Sequence, residues 1–193
     1  MTKVAIMGFG RIGRDFLRAW ALKEEKDFEI THIAVRNCET TVAQRAHLFK
    51  YDTIYRKYPG KCELDGNILN VDGHKIEFIE SKTPAEMEWG KLGVDIVVHS
   101  ATKYLNGHGD VIAGFSCGSK ELMTQVRLVG QKDFTGSVLS AHDAFLIFRG
   151  MKTLEVRMKQ HVANTKKVVE ALQKHKNVEK VYYPGLEDFK NHE

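Results

Sequence analysis

Apolar and polar positions follow two different rhythms along this chain. Lys3 to Phe9, KVAIMGF, is an apolar run of strand length. RIGRDFLRAWALKEEKDF follows, and it brings Ile12, Phe16, Leu17, Trp20 and Ala21 round at helical spacing. Glu29 to Asn37, EITHIAVRN, predicts a second strand, so the opening reads as a βαβ unit. TTVAQRAHLFKYD predicts a short helix. The stretch KYPGKCELDGNILNVDGHKIEFIES then carries two Asp-Gly pairs between short alternating runs, which predicts an antiparallel meander, because Asp-Gly supplies the positive φ angles of tight hairpins. TPAEMEWGKLG reads as a short helix or loop opened by Pro84. Val94 to Ser100, VDIVVHS, is a strand too apolar to be half exposed. Asp110 to Ser119 predicts a further, antiparallel strand, joined to it through the turn NGHG.

From Lys120 the rhythm becomes helical. KELMTQVRLVGQ is amphipathic, and residues 140–176 predict a long helical region broken near Gly150. Phe145, Leu146, Phe148, Leu154, Met158, Val162, Val169 and Leu172 fall on helical faces there. VEKVYYPG predicts a last strand. The pattern gives an α/β fold class: a Rossmann-like mixed sheet with a β-meander insertion, continuing into a helix-rich segment. No internal repeat or low-complexity linker interrupts it.

Composition narrows the partners. The 193 residues, 42% hydrophobic and 28% charged, suit one ordinary globular domain, or one domain plus an appendage. The formal charge of +4 is spread among interspersed acids and bases, which argues against a nucleic-acid partner. Cys38, Cys62 and Cys117 show no CxxC or zinc spacing and predict free thiols in a reducing compartment. The first apolar run is short and ends in glycines, so no signal peptide is expected, and no stretch is long enough for a membrane span. A cytoplasmic location and no membrane partner follow as expectations. His99, His108 and His142 are far apart in sequence without metal spacing, and no metal site is expected.

The chemistry begins at GFGRIG. Gly8, Gly10 and Gly13 have GxGxxG spacing between a predicted strand and a predicted helix. In that setting the first glycine permits the turn, the second lets a pyrophosphate approach the backbone, and the third lets the helix pack close to the strand. N–H groups near Arg11 and Ile12 would face the anion at the positive end of the helix. The second strand ends AVRNCE, with Asn37 where an acid on the adenosine ribose is expected and Arg36 before it. An amide can bond a ribose hydroxyl and an arginine can accept a 2′-phosphate, so NAD and NADP both remain open.

MGFGRIGRDFLRA, HLFKYDT, the hairpin region and PAEMEWGKLGVDIVV occur in the order found in glyceraldehyde-3-phosphate dehydrogenases. Residues 1 to about 98 resemble the N-terminal, NAD(P)-binding part of that family. The resemblance implies cofactor contacts from the glycine turn. It places Met7 where the family has asparagine, Asn37 where it has the cofactor-binding acid, and Lys82 where it has an adenine-side arginine. The family's catalytic SCTTN stretch does not occur; Cys117 lies in FSCGS, and no general-base histidine carries over. Triose-phosphate oxidation is not expected.

A different resemblance takes over past the strand. HSATKYLNGHGDVIAG, and the sequence onward through VRLVGQKDFTGSVLSAHDAFLIFRGMKTLEVRMKQH, is similar to the lysine segment of the pyridoxal-phosphate enzymes of cysteine and methionine metabolism, especially methionine γ-lyase and cystathionine γ-lyase. It covers residues 93–193 and implies that the helix-rich segment belongs to a PLP-transferase-like large domain. By this resemblance Lys103 is the catalytic Schiff-base lysine, acting as acid and base once substrate displaces it, and the hydroxyls of Ser100 and Thr102 suit the cofactor phosphate. In that family the acid at the pyridine nitrogen, the stacked aromatic and the phosphate cradle precede the lysine. Dehydrogenase-like sequence stands there instead. The arginine for the substrate carboxylate is expected beyond the last residue.

GVDIVV fits both families, which makes it a seam. The expectation is a chimera of parts 1–98 and 93–193 sharing one fused sheet. It would have a residual NAD(P) half-site, a pyridoxal-phosphate site inherited incomplete, and no complete active site. A working sulfur-amino-acid lyase using Lys103 and a ligand-free structural protein are the alternatives. Helices patterned for a larger body predict uncovered apolar surface and self-association.

Overall fold

A computed structural model describes residues 1–36, 40–81, 86–183 and 185–187. The chain divides into two compact units, one of residues 1–100 with 113–138, the other of 101–112 with 139–193.

The first unit is built on β1 (Thr2–Met7), α1 (Arg11–Ala21) and β2 (Phe28–Arg36). α2 (Val42–Lys50) follows, opened by a capping box in which the Thr41 hydroxyl accepts from the Gln44 N–H and the Gln44 side chain accepts from the Thr41 N–H. The small ribbon of β3 (Tyr51–Asp52) and β4 (Arg56–Lys57) leads to the meander of β5 (Cys62–Asp65), β6 (Ile68–Val71) and β7 (His74–Ser81). Its second turn has φ +50 at Asp72 and +92 at Gly73, the paired positive angles a two-residue hairpin of this hand needs. β8 (Ile96–Ser100) and β9 (Gly114–Gly118) complete one seven-stranded sheet in the order β5-β6-β7-β2-β1-β8-β9. β7, β2, β1 and β8 run parallel. The meander hairpins and β9 are antiparallel additions.

The core sits on β1, β2 and the meander. Leu17, Ile33, Phe49, Leu69 and Ile76 are fully buried there, and Phe9 meets Phe78 edge to face with centroids 5.4 Å apart. Buried Arg18 is held by the Phe49 carbonyl and lies over the rings of Phe49 and Tyr58, 5.3 and 5.4 Å from their centroids. Its charge is thereby both hydrogen-bonded and faced by π density, which offsets its removal from water. Cys62 is buried and its thiol is pushed up by desolvation; Cys117 is exposed, and both are free thiols.

Two expectations need correction. Val94–Ser100 was expected to be too apolar for half exposure, yet every residue of β8 is half-buried and every residue of β9 is exposed. Backbone pairing on both sides satisfies β8 as a strand, while its side chains receive only partial cover. Pattern alone reports what a strand was shaped to meet, not what meets it. The last strand expected at VEKVYYPG is not seen among the described residues: 178–183 pair with no strand, and a strand without a neighbour has no ladder to stabilise it.

After β9 come α3 (Lys120–Gln125), capped by the Ser119 hydroxyl, and a π-helical stretch, Val126–Thr135. In the second unit α4 (Ala141–Met151) is capped by Ser140, and α5 (Leu154–Gln173) follows after a break at residues 152–153. Gly150 is buried because the chain passes so close that a Cβ would overlap the Asn106 carbonyl oxygen. The apolar helical faces stay largely open, as their pattern predicts: Phe145 is 58% exposed, Phe148 63% and Val162 50%, whereas Val169 is buried.

Candidate functional site

The glycine turn joins the carboxyl end of β1 to the start of α1. Gly8 takes φ +91, a left-handed conformation that a side chain would strain, and its N–H donates to the Ala34 carbonyl of β2 at 2.8 Å. A Cβ on Gly13 would overlap the Gly8 carbonyl oxygen, so the third glycine is what lets α1 close onto the strand. Gly10 is different: nothing lies within 4 Å of where its Cβ would stand. It is the N-cap of α1, offers no side-chain cap, and no acid occupies the first helical turn. The N–H groups of Arg11, Ile12 and Gly13 thus open a helix with no carboxylate of its own beside them, the electrostatics an incoming phosphate requires.

Arg11 is tethered by Asp52, Nη1 to Oδ2 at 3.4 Å. The Asp52 carboxyl is held below the usual range, chiefly by the backbone N–H groups of Tyr55 and Ile54, with Arg11 adding to it. Arg14 donates from Nη1 to the Phe9 carbonyl at 3.1 Å and bends back along the turn; burial, with Arg11 nearby, lowers its pKa. Asn37 and Lys82, expected on the adenosine side, lie outside the described residues.

One residue at this site was not read as functional from sequence. His99 is paired with Met7 across the parallel β1–β8 ladder. Its Nδ1 is 2.6 Å from the Met7 carbonyl, and its ring would touch a Gly8 Cβ at 3.7 Å. Only the register of two strands 92 residues apart brings it there. Strand-end counting would have found it: the parallel strands of such a sheet end together, at the edge where ligands bind.

Lys103, Thr102 and Ser100 are distributed differently. Ser100 ends β8 in the first unit; Thr102 and Lys103 open the second. Lys103 is exposed on a turn closed by a bond from the Gly107 N–H to its carbonyl, 2.6 Å. The turn is packed from within its own unit. Asn106 is fully buried and its Oδ1 accepts the N–H groups of His108 and Gly109, each at 3.1 Å. Arg157 of α5 donates to the carbonyls of Tyr104, at 3.1 Å, and Gly150, at 2.7 Å. Among the described residues no group of three or more histidine, cysteine, aspartate or glutamate side chains could hold a metal, and no helix is long and apolar enough to cross a membrane.

Comparison with known proteins divides the chain differently from its compact units: the change of family falls within residues 81–107, whereas residues 113–138 belong to the first unit. The model of the glyceraldehyde 3-phosphate dehydrogenase NAD binding domain matches residues 2–107, and that of the Cys/Met metabolism PLP-dependent enzymes matches residues 81–193. The chain belongs to both families. The two matches overlap on residues 81–107, which contain β8, His99 and Lys103. The L-methionine gamma-lyase of Fusobacterium nucleatum subsp. polymorphum is 60% identical over 111 residues, 58% of this chain and 28% of that enzyme. The L-methionine gamma-lyase of Treponema denticola is 61% identical over 102 residues, 53% of this chain and 25% of its own length. Cystathionine gamma-synthase 1, chloroplastic, of Arabidopsis thaliana is 40% identical over 132 residues, 68% of this chain and 22% of that protein. The chain thus spans about a quarter of the length of the curated relatives it matches. Its content is chimeric: a dehydrogenase-type nucleotide-binding part followed by a lyase-type lysine segment.

Proposed function

We propose that the chain binds NAD or NADP through the glycine turn, and that neither parent active centre is complete in it. Gly8, Gly10, Arg11, Ile12 and Gly13 would hold the pyrophosphate, with Asn37 and Lys82 on the adenosine side. The observation that carries this reading is the start of α1: uncapped, free of acids, and open at Gly10, while Gly8 and Gly13 are fixed by geometry only glycine satisfies. The family that matches residues 2–107 is an NAD-binding one. Bound there, the cofactor would offer hydride chemistry, but no catalytic cysteine of that family stands in the sequence. The parts fall at 1–98 and 93–193, meeting on β8.

The test is a thermal melt with NAD, NADP and ADP. Ligand at 100 times its dissociation constant adds about 2.7 kcal/mol of stability. Gly10→Ala adds a Cβ that meets nothing within 4 Å but replaces a favourable N-cap residue, so it should cost the free chain about 1 kcal/mol or less and should weaken the ligand shift sharply. No shift with any nucleotide would refute the reading.

A second reading, a pyridoxal-dependent lyase using Lys103 with Ser100 and Thr102, is favoured by the 60% identity to methionine gamma-lyases over the rear segment. Against it stand the exposure of Lys103 and the dehydrogenase-type sequence that fills the positions before it. Visible absorbance on adding pyridoxal phosphate, lost in Lys103→Ala, would favour this reading.

A further inference from the structure

β8, which both families' matches share, sets a side chain against the dehydrogenase-type glycine turn. His99 is fixed at two places: Nδ1 meets the Met7 carbonyl at 2.6 Å, and its ring meets Phe115 of β9 edge to face, centroids 5.5 Å apart. Because a carbonyl only accepts, Nδ1 carries the proton in either charge state of the ring. Nε2 has no partner among the described residues, and the ring borders Gly8, the first residue of the phosphate turn. We propose that His99 is a phosphate-binding residue of the nucleotide site, donating from a protonated Nε2 to the pyrophosphate of NAD(P) held on the glycine turn. The proposal rests on the nucleotide-binding reading above.

The pyrophosphate itself would favour that proton. Both cross-strand neighbours of His99, Met7 on β1 and Phe115 on β9, are uncharged. On α1, the element following the turn, the charged residues of the opening are Arg11 and Arg14. Arg11 is engaged by Asp52 and Arg14 points to the Phe9 carbonyl. No carboxylate pairs with His99 among the described residues, so in the free chain nothing competes with the pyrophosphate for its second proton. Binding would therefore take up a proton, and affinity would rise as pH falls.

The experiment is titration with NAD and ADP, followed calorimetrically, at about pH 6 and about pH 8, either side of the ordinary histidine range. The His99 ring resonances are followed by NMR in parallel. Wild type should bind about tenfold more tightly at the lower pH, the size of one charge-assisted hydrogen bond, and ADP should raise the pH at which the ring titrates. His99→Asn keeps a donor for the Met7 carbonyl but has no Nε2. It should keep the wild-type melting temperature and bind at both pH values as wild type does at the higher. Equal wild-type affinity at both pH values, or an unmoved ring titration with nucleotide bound, overturns the role of His99 and leaves the glycine-turn reading standing. Absence of binding at either pH overturns both.

Discussion

The centre of the sheet and its β8–β9 edge answer the same apolar pattern differently. β2 buries Ile30, Ile33, Ala34 and Val35 and anchors a core with α1, α2 and the meander. β8 is equally apolar in sequence, yet all its residues are half-exposed, and β9 beside it is exposed throughout. The helices repeat the contrast. The 11-residue α1 buries Leu17, Arg18 and Trp20, whereas the 20-residue α5 buries only Val169 among its described residues. Hydrogen-bonded elements form wherever their local sequence asks for them. A core forms only where the layer each element was shaped against is present as well.

That contrast can be broken by matched substitutions. The largest effect is expected at Phe49, which is fully buried: Phe49→Ala should cost about 3–5 kcal/mol by denaturant midpoint. Phe148→Ala should fall within about 0.5 kcal/mol of wild type, as exposed substitutions do. Equal costs would mean that the rear helices share a core after all.

Next in size is an alkaline limb belonging to the front core alone. Burial, and the hydrogen bond from its hydroxyl to Asp72 at 2.5 Å, push the Tyr58 phenol well above its ordinary value. The folded chain therefore holds this proton more tightly than the unfolded one. The resulting stability is complete below about pH 10, the ordinary tyrosine value, and is lost as pH rises toward the folded value. Melts from about pH 8 upward should show that decline in wild type, flattened in Tyr58→Phe; a decline of equal slope in both would refute the assignment.

Helix caps should sharpen the comparison by failing to show it. Thr41 in the front and Ser140 in the rear both accept a bond from the first turn of their helices. Removing either hydroxyl with alanine should cost its helix about 1 kcal/mol, because a cap is a local interaction. Residue-resolved hydrogen exchange reads the two helices separately. The smallest effect on stability, and the largest on association, is expected from charge on the open face of α4 and α5. Wild type is expected to self-associate through this face, and Phe148→Glu with Val162→Lys should leave the melt nearly unchanged while lowering the light scattering relative to wild type.

Much of this was legible in the sequence. Strand, glycine turn and helix appear where GFGRIG and the helical spacing of Leu17 and Trp20 put them. The meander follows its Asp-Gly pairs, and the break between α4 and α5 falls next to Gly150. These features are local, set by backbone preference and short-range periodicity. Burial of β8 and pairing of residues 178–183 were misread because both depend on neighbours that sequence pattern does not supply. His99 was passed over because the only signal for it is register across a parallel pair. Arg157, which gathers the Tyr104 and Gly150 carbonyls, lies 53 residues from Tyr104 and was invisible for the same reason.

The pairing of β8 has a consequence for how such chains arise. A parallel ladder is written in peptide groups, which every residue but proline carries alike. Recombination that cuts within an inner strand therefore meets no objection from the backbone, and the joined product is judged only by the surfaces laid over it. An inner strand of this kind would accept a join between α/β proteins of different families, and the side chains it carries are where new contacts would first emerge.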